Sequence, residues 1–325
     1  MATPVRDVTK KEKPGSITEV IAAAADVVIA RPLLIIVPIL LDVYYLFGWK
    51  IIGGSTFDRL RTSALDLKTS DGDKLAGYLS DASRADLTGI VSLIIPSFLA
   101  GSTAENRYRP FERHILGADN WGALMLALVV LIGLTMFLFG VFGLWLADSG
   151  LHRERSWGDR LRLGPVLGGR FMLTLLLIVA MTLLLCVPLI IAAIVASLLG
   201  VGLEGLVLTL TVLVGLALYV LFYFASDSLL VDFSSPVQAL CASSAVVRKN
   251  LFVTIGFALA SIVISIGLAS VFDRIATSAP GLAIAIVANA FVGCVLWIAS
   301  LLFFSERSKL LTTERAVAGA TRSIT

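Results

Sequence analysis

The chain has 325 residues, of which 58% are hydrophobic and 15% charged, and its formal net charge is +3. Soluble domains carry about 45–50% apolar and about 25% charged residues, so this composition excludes an ordinary soluble domain. The small net charge, with basic residues spread along the chain, gives no support for nucleic-acid binding. The apolar residues are arranged in long runs, which indicates a protein of the membrane.

The chain begins with a basic arm, residues 1–15, which is predicted to be disordered. The next segment is SITEVIAAAADVVIARPLLIIV, in which Ser16 and Glu19 have the spacing of a capping box at a helix N-terminus. We expect a short amphipathic helix here, lying in the cytoplasmic interface of the membrane. Its apolar face is predicted to consist of Val20, Ala23, Ala24, Val27 and Val28.

Two later segments repeat this order of a serine, about fifteen residues with apolar periodicity, basic residues and a long apolar run. The second is SWGDRLRLGPVLGGRFMLTLLL, where Ser156 and Asp159 have the same serine–acid spacing. The third is SSPVQALCASSAVVRKNLFVTI. The chain is therefore predicted to contain three interfacial helices, each leading into a pair of membrane-spanning helices. The predicted apolar face of the third consists of Val237, Leu240, Cys241 and Val247.

Six apolar runs are long enough to cross a bilayer as helices, which needs about 20 residues each. Lys and Arg are concentrated before the first run, after the second and fourth, and in the tail 306–325. By the positive-inside rule, both termini are predicted to be cytoplasmic in a multi-pass protein of the inner (cell) membrane. The transmembrane domain is predicted to cover 16–305. Its six spans are expected near 33–52, 122–147, 171–198, 203–225, 251–272 and 281–304.

An insertion, residues 53–121, interrupts the first helical hairpin and is predicted to form a small, mostly helical cap on the outer face. Within it, FDRLRTSALDLK has the pattern of an amphipathic helix. The stretch LTGIVSLIIPSFLAG, residues 87–101, is apolar but too short to span, and it contains Pro96. We therefore expect an interfacial or re-entrant segment there.

The third interfacial segment also carries a resemblance to a known family. In DSLLVDFSSPVQALCASSAVVRKNLFVTIGFALASIV, the positions of an A-L-x-x-S-x-x-x-x-R/K helix are filled by Ala239, Leu240, Ser243 and Arg248. The segment resembles the membrane domain of glycerophosphoryl diester phosphodiesterases and its stand-alone six-helix relatives. The resemblance implies an all-α polytopic fold over most of residues 16–305. The catalytic barrel of that family has no counterpart in this chain, so phosphodiesterase activity is not expected.

Polar residues within the predicted spans are candidates for a functional site. An Asp at a helix centre costs about 2.5–3.5 kcal/mol on insertion scales, so Asp42 must face other helices or water. It could bind a proton or substrate, form a hydrogen bond between helices, or meet a water-filled groove. Asn289 in span six, and Ser261 and Ser265 in span five, lie on faces of small residues. These two faces are expected to pack against each other.

Basic residues at the ends of the interfacial helices are candidates for binding lipid phosphates, or they serve only as topology signals. The basic candidates are Arg31, Arg170, Arg248 and Lys249.

Acidic residues at the predicted cytoplasmic ends of the spans are expected to be solvated. They are Asp148, Asp227 and Asp232.

The sequence contains no P-loop, G-x-S-x-G or H-E-x-x-H motif, and its two histidines, His114 and His152, are isolated. We therefore predict no catalytic residues, no metal site and no cofactor. The leading hypothesis is a non-enzymatic membrane scaffold or accessory subunit that binds lipids or other membrane proteins. The alternative is a small transporter or permease that uses Asp42 for proton or substrate coupling.

Overall fold

A computed structural model describes residues 15–66, 70–93, 95–99, 114–118, 120–198 and 204–322. The predicted arm lies outside these residues except for Gly15. The described chain is almost entirely helical, which confirms the all-α polytopic fold. Five of the described helices are long and apolar enough to cross a membrane, and there are six if the bent pair Ile17–Ala30 and Pro32–Phe47 forms one span.

The elements follow in this order. Helix α1 (Ile17–Ala30) and a 3-10 helix (Pro32–Ile35) precede α2 (Ile36–Phe47). The insertion contains β1 (Lys50–Ile52), α3 (Gly54–Leu65), α4 (Ser70–Arg84), a second 3-10 helix (Leu87–Leu93) and β2 (Ile115–Gly117). Then come α5 (Trp121–Gly150), α6 (Trp157–Leu198), α7 (Glu204–Leu221) and α8 (Ala225–Asp232). The last helices are α9 (Pro236–Lys249), α10 (Leu251–Ile275) and α11 (Ala279–Arg322).

Capping boxes start both α1 and α9. The Ser16 hydroxyl accepts the N–H of Glu19 at 3.3 Å, and the Glu19 carboxylate accepts the N–H of Ser16 at 2.7 Å. Ser235 and Gln238 form the same reciprocal pair before α9. Each serine satisfies an N–H that has no partner inside the helix, which fixes the residue at which the helix begins.

The first predicted span is shorter than expected. Its α-helical part is only Ile36–Phe47, about 18 Å long against the roughly 30 Å of a hydrocarbon core. It is followed by β1, so residues 50–52 are not helical as predicted. The chain bends by 95° between α1 and this span. The bend falls at Arg31 because a proline, Pro32, disfavours helical backbone in the residue before it.

The second interfacial helix and its span form one continuous helix, which corrects the predicted separation near residue 170. Ser156 accepts the N–H of Asp159 at 3.1 Å and donates to the carboxylate of the same residue at 2.8 Å. From this cap, α6 runs for 42 residues without a break.

Helices α5 and α6 cross at three glycines. A Cβ added to Gly140 in α5 would overlap the carbonyl of Gly164 in α6, and one added to Gly168 would overlap the carbonyl of Met136. Gly164 and Gly168 are four residues apart, and small residues at this spacing let two helix backbones approach closely. The close contact with α5 supports the glycine-rich start of α6 as a helix.

Ser243 joins α9 to the gap between α7 and α8. Its hydroxyl accepts the N–H of Phe224 at 3.1 Å and donates to the carbonyl of Leu221 at 3.0 Å. Burial of this polar residue rotates the packed face of α9 away from the one that hydrophobicity predicts. Val237 and Cys241, which were predicted to be on the apolar face with Leu240 and Val247, lie outside the packed face and are exposed.

The core joins the first and last helices of the bundle. Val20, Ala24 and Val28 are the buried residues of α1 and belong to the same cluster as the apolar residues of α11. The N–H of Gly15 donates to the Glu306 carboxylate at 3.3 Å. Because α11 continues to Arg322, no break separates the predicted tail from the last span. We call this end of the bundle, which holds α1 and α9, the interfacial-helix side.

The insertion lies at the opposite end, the insertion side. The helix α3 agrees with the predicted amphipathic helix, and α4 packs beside it. A two-stranded parallel pair of β1 with β2 was not predicted, and it brings residue 50 next to residue 115. The hydroxyl of Thr56 donates to the carbonyl of Ala118 at 2.8 Å, which ties α3 to the end of the insertion.

Candidate functional site

Asp42 anchors part of the insertion inside the helical bundle. Its carboxylate is fully buried. Oδ1 accepts hydrogen bonds from the Ser97 hydroxyl at 2.6 Å and the Leu99 N–H at 3.1 Å, and Oδ2 accepts the Phe98 N–H at 3.2 Å. These donors belong to residues 95–99, which we call the inserted segment. Asp42 thus faces a non-helical segment, and the hydrogen bonds described for it go there and not to a neighbouring helix.

The inserted segment is held in the bundle by the packing of its proline and by hydrogen bonds to its backbone. Pro96 packs against Gly293 of α11, where a Cβ would overlap the proline ring. Non-helical backbone at membrane depth is tolerated only where the protein itself satisfies its polar groups, which Asp42 does here. Tyr45, on the same face of α2, donates to the carbonyl of Thr88 at 2.9 Å, just before the inserted segment. These contacts agree with the re-entrant character predicted for residues 87–101.

A cavity of about 620 Å³ lies between the inserted segment, α10 and α11. This volume is within the range of small-molecule sites, about 300–1,000 Å³. It extends from Asp273, near the end of α10, to Asn289, which lies about 15 Å along α11 from Ala279. That depth is roughly half the thickness of a hydrocarbon core. The polar side chains in the described lining are Ser92, Ser97, Ser265, Ser270, Asp273 and Asn289.

The cavity brings together two of the predicted site residues. Ser265 and Asn289 face it from α10 and α11, whereas Ser261 lies one turn away beside Tyr223 and is not in the described lining. The small-residue faces of α10 and α11 therefore border a cavity at these positions and do not close on each other as expected. Among the described residues, neither the Asn289 carboxamide nor the Ser265 hydroxyl forms a hydrogen bond.

An apolar groove of about 560 Å³ adjoins the cavity and shares Val292 with it. Its described lining consists wholly of apolar side chains from α11 and from the start of the first span. A partly polar cavity and an apolar groove thus meet at one residue of α11. The residues of the groove are Ile35, Ala283, Ile284, Val287, Ala288, Phe291 and Val292.

A second polar cluster lies at the interfacial-helix side, and it corrects the expectation that Asp148 and Asp227 are solvated, whereas Asp232 is exposed as expected. Asp148 is fully buried, with Arg160 Nε 3.0 Å from its Oδ2 and Arg155 Nη1 3.6 Å from its Oδ1. Asp227 is also buried, and it accepts a hydrogen bond from Ser300. An acidic group is buried only where a partner compensates for the loss of its hydrogen bonds to water. The partners here lie on neighbouring helices, so these contacts hold the helices together.

A sequence signal for this cluster exists but is short. The second, fourth and sixth predicted spans end in Ala-Asp-Ser at 147–149, Ser-Asp-Ser at 226–228 and Ser-Glu-Arg at 305–307. The acids of these three triplets, Asp148, Asp227 and Glu306, all lie at the interfacial-helix side. Each pairs with a different group, so their repetition in sequence does not give equivalent contacts.

The four lipid-phosphate candidates lie at the interfacial-helix side but differ in accessibility. Arg170 Nη1 donates to the carbonyl of Phe233 at 2.6 Å, which stabilises a residue with a φ of 53°. Arg170 therefore supports the loop before α9, and this contact reduces its availability to lipid. The side chains of Arg31, Arg248 and Lys249 are exposed and keep the predicted position at the ends of α1 and α9.

Arg160→Met is expected to lower the free energy of unfolding by about 2 kcal/mol. The change leaves Asp148 buried with only the more distant Arg155, while the methionine keeps part of the apolar packing. Thermal unfolding in detergent measures the effect. Arg162→Met, which changes an exposed arginine of the same helix, is the control and should unfold like the wild type. Equal stability of the two variants would contradict a stabilising role for the Asp148–Arg160 pair.

The described residues contain no group of three or more His, Cys, Asp or Glu placed to hold a metal ion. No family model, curated protein or solved structure matches this chain. The resemblance to the membrane domain of glycerophosphoryl diester phosphodiesterases therefore stays a prediction. The structure shows an all-α chain whose helices are able to cross a membrane.

Proposed function

We propose that the protein is a non-enzymatic membrane scaffold or accessory subunit that binds a lipid between the inserted segment, α10 and α11. The observation that carries the proposal is the junction, at Val292, of a cavity that contains six polar side chains and a groove lined only by apolar ones. A lipid has a polar headgroup and apolar chains, so its two parts match the two linings. We place both termini in the cytoplasm at the inner membrane, as the distribution of Lys and Arg supports.

The hydrogen bonds of Asp42 favour this proposal over a transporter. A coupling carboxylate must exchange its proton or ligand during each cycle. Both oxygens of Asp42 instead accept hydrogen bonds from the inserted segment, and release of these bonds would free the wall of the cavity. We assign Asp42 the role of positioning that wall. The exposed basic residues Arg31 and Arg248 are available for further contacts with lipid phosphates, and Lys249 follows Arg248 at the end of α9.

Extraction of the protein directly from the membrane with its surrounding lipids tests the proposal. The protein is enclosed in copolymer nanodiscs, and its lipids and co-purifying proteins are identified by mass spectrometry. We expect one lipid class to be enriched severalfold over the bulk membrane. A lipid composition equal to that of the bulk membrane would contradict lipid binding.

Two variants of α10 provide the matched comparison. Ala269→Leu places a larger side chain into the cavity and should reduce the enrichment. Gly267→Leu adds the same side chain where the structure has open space, so it should retain the enrichment. Equal enrichment in the two variants would place the bound lipid elsewhere on the protein.

A further inference from the structure

We infer that the cavity selects an amphiphile with an uncharged, hydroxyl-bearing headgroup of the glyceryl or glycosyl kind, through Asn289 and Ser265. This inference rests on the proposed lipid-binding function and adds the chemical class of the lipid. It depends on which hydrogen-bonding groups of the cavity are already used within the protein and which are left for a ligand.

Asn289 contributes hydrogen-bonding groups to the cavity from α11. Its carboxamide has one acceptor oxygen and two N–H donors. The side chain is half-buried, about 15 Å along α11, and it forms no hydrogen bond among the described residues. A carboxamide at that depth without a partner is unfavourable. It has lost its hydrogen bonds to water, and lipid chains offer none in their place. A ligand that offers both a donor and an acceptor satisfies it, and a hydroxyl group offers both.

The serine hydroxyls around Asn289 present mainly acceptors. Ser92 donates to the carbonyl of Gly89 at 2.6 Å, and Ser270 donates to the carbonyl of Ile266 at 2.9 Å. The hydroxyl of Ser97 donates to Asp42. The hydroxyl oxygens of Ser92 and Ser270 have used their protons and keep lone pairs that can accept.

Acceptors at the cavity wall favour a ligand that brings O–H donors over one that brings more acceptors. A phosphate headgroup supplies acceptor oxygens and negative charge, and the described lining contains no Lys or Arg to bind them. A glyceryl or glycosyl headgroup supplies one or more hydroxyls without charge. Ser265, which forms no hydrogen bond of its own, can donate to or accept from such a group from the side of α10. The acyl chains then lie in the apolar groove beyond Val292.

The test uses the full-length protein in phosphatidylcholine nanodiscs that contain equal small amounts of three lipids. These probes are monoglucosyl diacylglycerol, dioleoylglycerol and phosphatidic acid, and native mass spectrometry measures which of them stays bound. We expect the two hydroxyl-bearing neutral lipids to be retained over phosphatidic acid, and the difference between them separates a glycosyl from a glyceryl headgroup. Asn289→Leu should reduce their retention about tenfold and Ser265→Ala about threefold.

Ser261→Ala is the matched control, because it removes the same hydroxyl one turn away on α10, outside the described lining. It should retain the neutral lipids as the wild type does. Preferential binding of phosphatidic acid, or equal retention by Ser265→Ala and Ser261→Ala, would overturn the inferred headgroup class while leaving lipid binding intact. Retention of none of the three probes, together with no lipid enrichment in native nanodiscs, would overturn the proposed function itself. If Asn289→Leu does not fold, the serine pair still decides the result.

Discussion

Replacing Gly140 by leucine is expected to leave little monodisperse protein after detergent extraction, because the new side chain has no space at the crossing of α5 and α6. A Cβ at this position already overlaps the carbonyl of Gly164, which is backbone and cannot rotate away. The two helices would have to separate along a contact that extends to Gly168. Such a forced separation belongs to the class of substitutions that cost more than about 4 kcal/mol. Fluorescence-detected gel filtration measures the surviving folded fraction.

The control for this prediction lies two turns away on the same helix. Gly133 has no atoms near the position of an added Cβ, so Gly133→Leu should extract and elute like the wild type. Both variants increase the apolarity of α5 equally, and both should therefore insert into the membrane. If Gly140→Leu elutes like Gly133→Leu, the close crossing does not determine the fold of this hairpin.

Replacing Asp42 by leucine is expected to release the inserted segment from the bundle. The change removes the acceptor for two buried backbone N–H groups and one hydroxyl, which costs roughly 3 kcal/mol or more. Hydrogen–deuterium exchange at the amides of Phe98 and Leu99 measures the effect directly, because both amides donate to Asp42. We expect their exchange to become much faster in Asp42→Leu. The spanning helices should keep their slow exchange.

Asp42→Asn gives a graded test of the same anchor. Asparagine keeps one carbonyl oxygen, which can still accept from Ser97 and Leu99, but its NH₂ group faces the N–H of Phe98. Exchange at Phe98 should therefore increase more than exchange at Leu99. Asp81→Asn, at an exposed carboxylate of α4, should change neither. A variant Asp42→Asn that keeps slow exchange at both amides but loses solute flux would support the transporter instead.

The features of the fold that depend on local sequence could be predicted. The serine caps of α1 and α6 were predicted because a capping box needs only residues three apart, whereas the Ser235–Gln238 cap of α9 was not. The long apolar helices were found because burial in a bilayer requires about 20 consecutive apolar residues. The early end of α2 at Phe47 was missed because Trp49, Ile51 and Ile52 continue the apolar run on both sides of Lys50. Its strand conformation comes from pairing with residues 115–117, which no local pattern indicates.

The candidate site could be predicted only in part, because its walls come from distant parts of the sequence. The polarity and depth of Asp42 and Asn289 were visible in the sequence. The sequence did not indicate that the inserted segment lies between them, because Asp42 and Ser97 are 55 residues apart. Asp148 was expected to be solvated because it lies among arginines at the end of a span. Whether such an acid faces water or Arg160 depends on the direction of α6 beside it, which the sequence alone does not specify.

The contact between α1 and α11 has a consequence for how the protein is made. Helix α1 is synthesised more than 200 residues before α11, yet its buried residues Val20, Ala24 and Val28 pack in a cluster with residues of α11. During synthesis this apolar face lacks its main partner until α11 has been inserted. A chain that stops before α11 therefore leaves α1 partly uncovered. Quality-control proteases could recognise such a chain by α1, far from the position at which synthesis stopped.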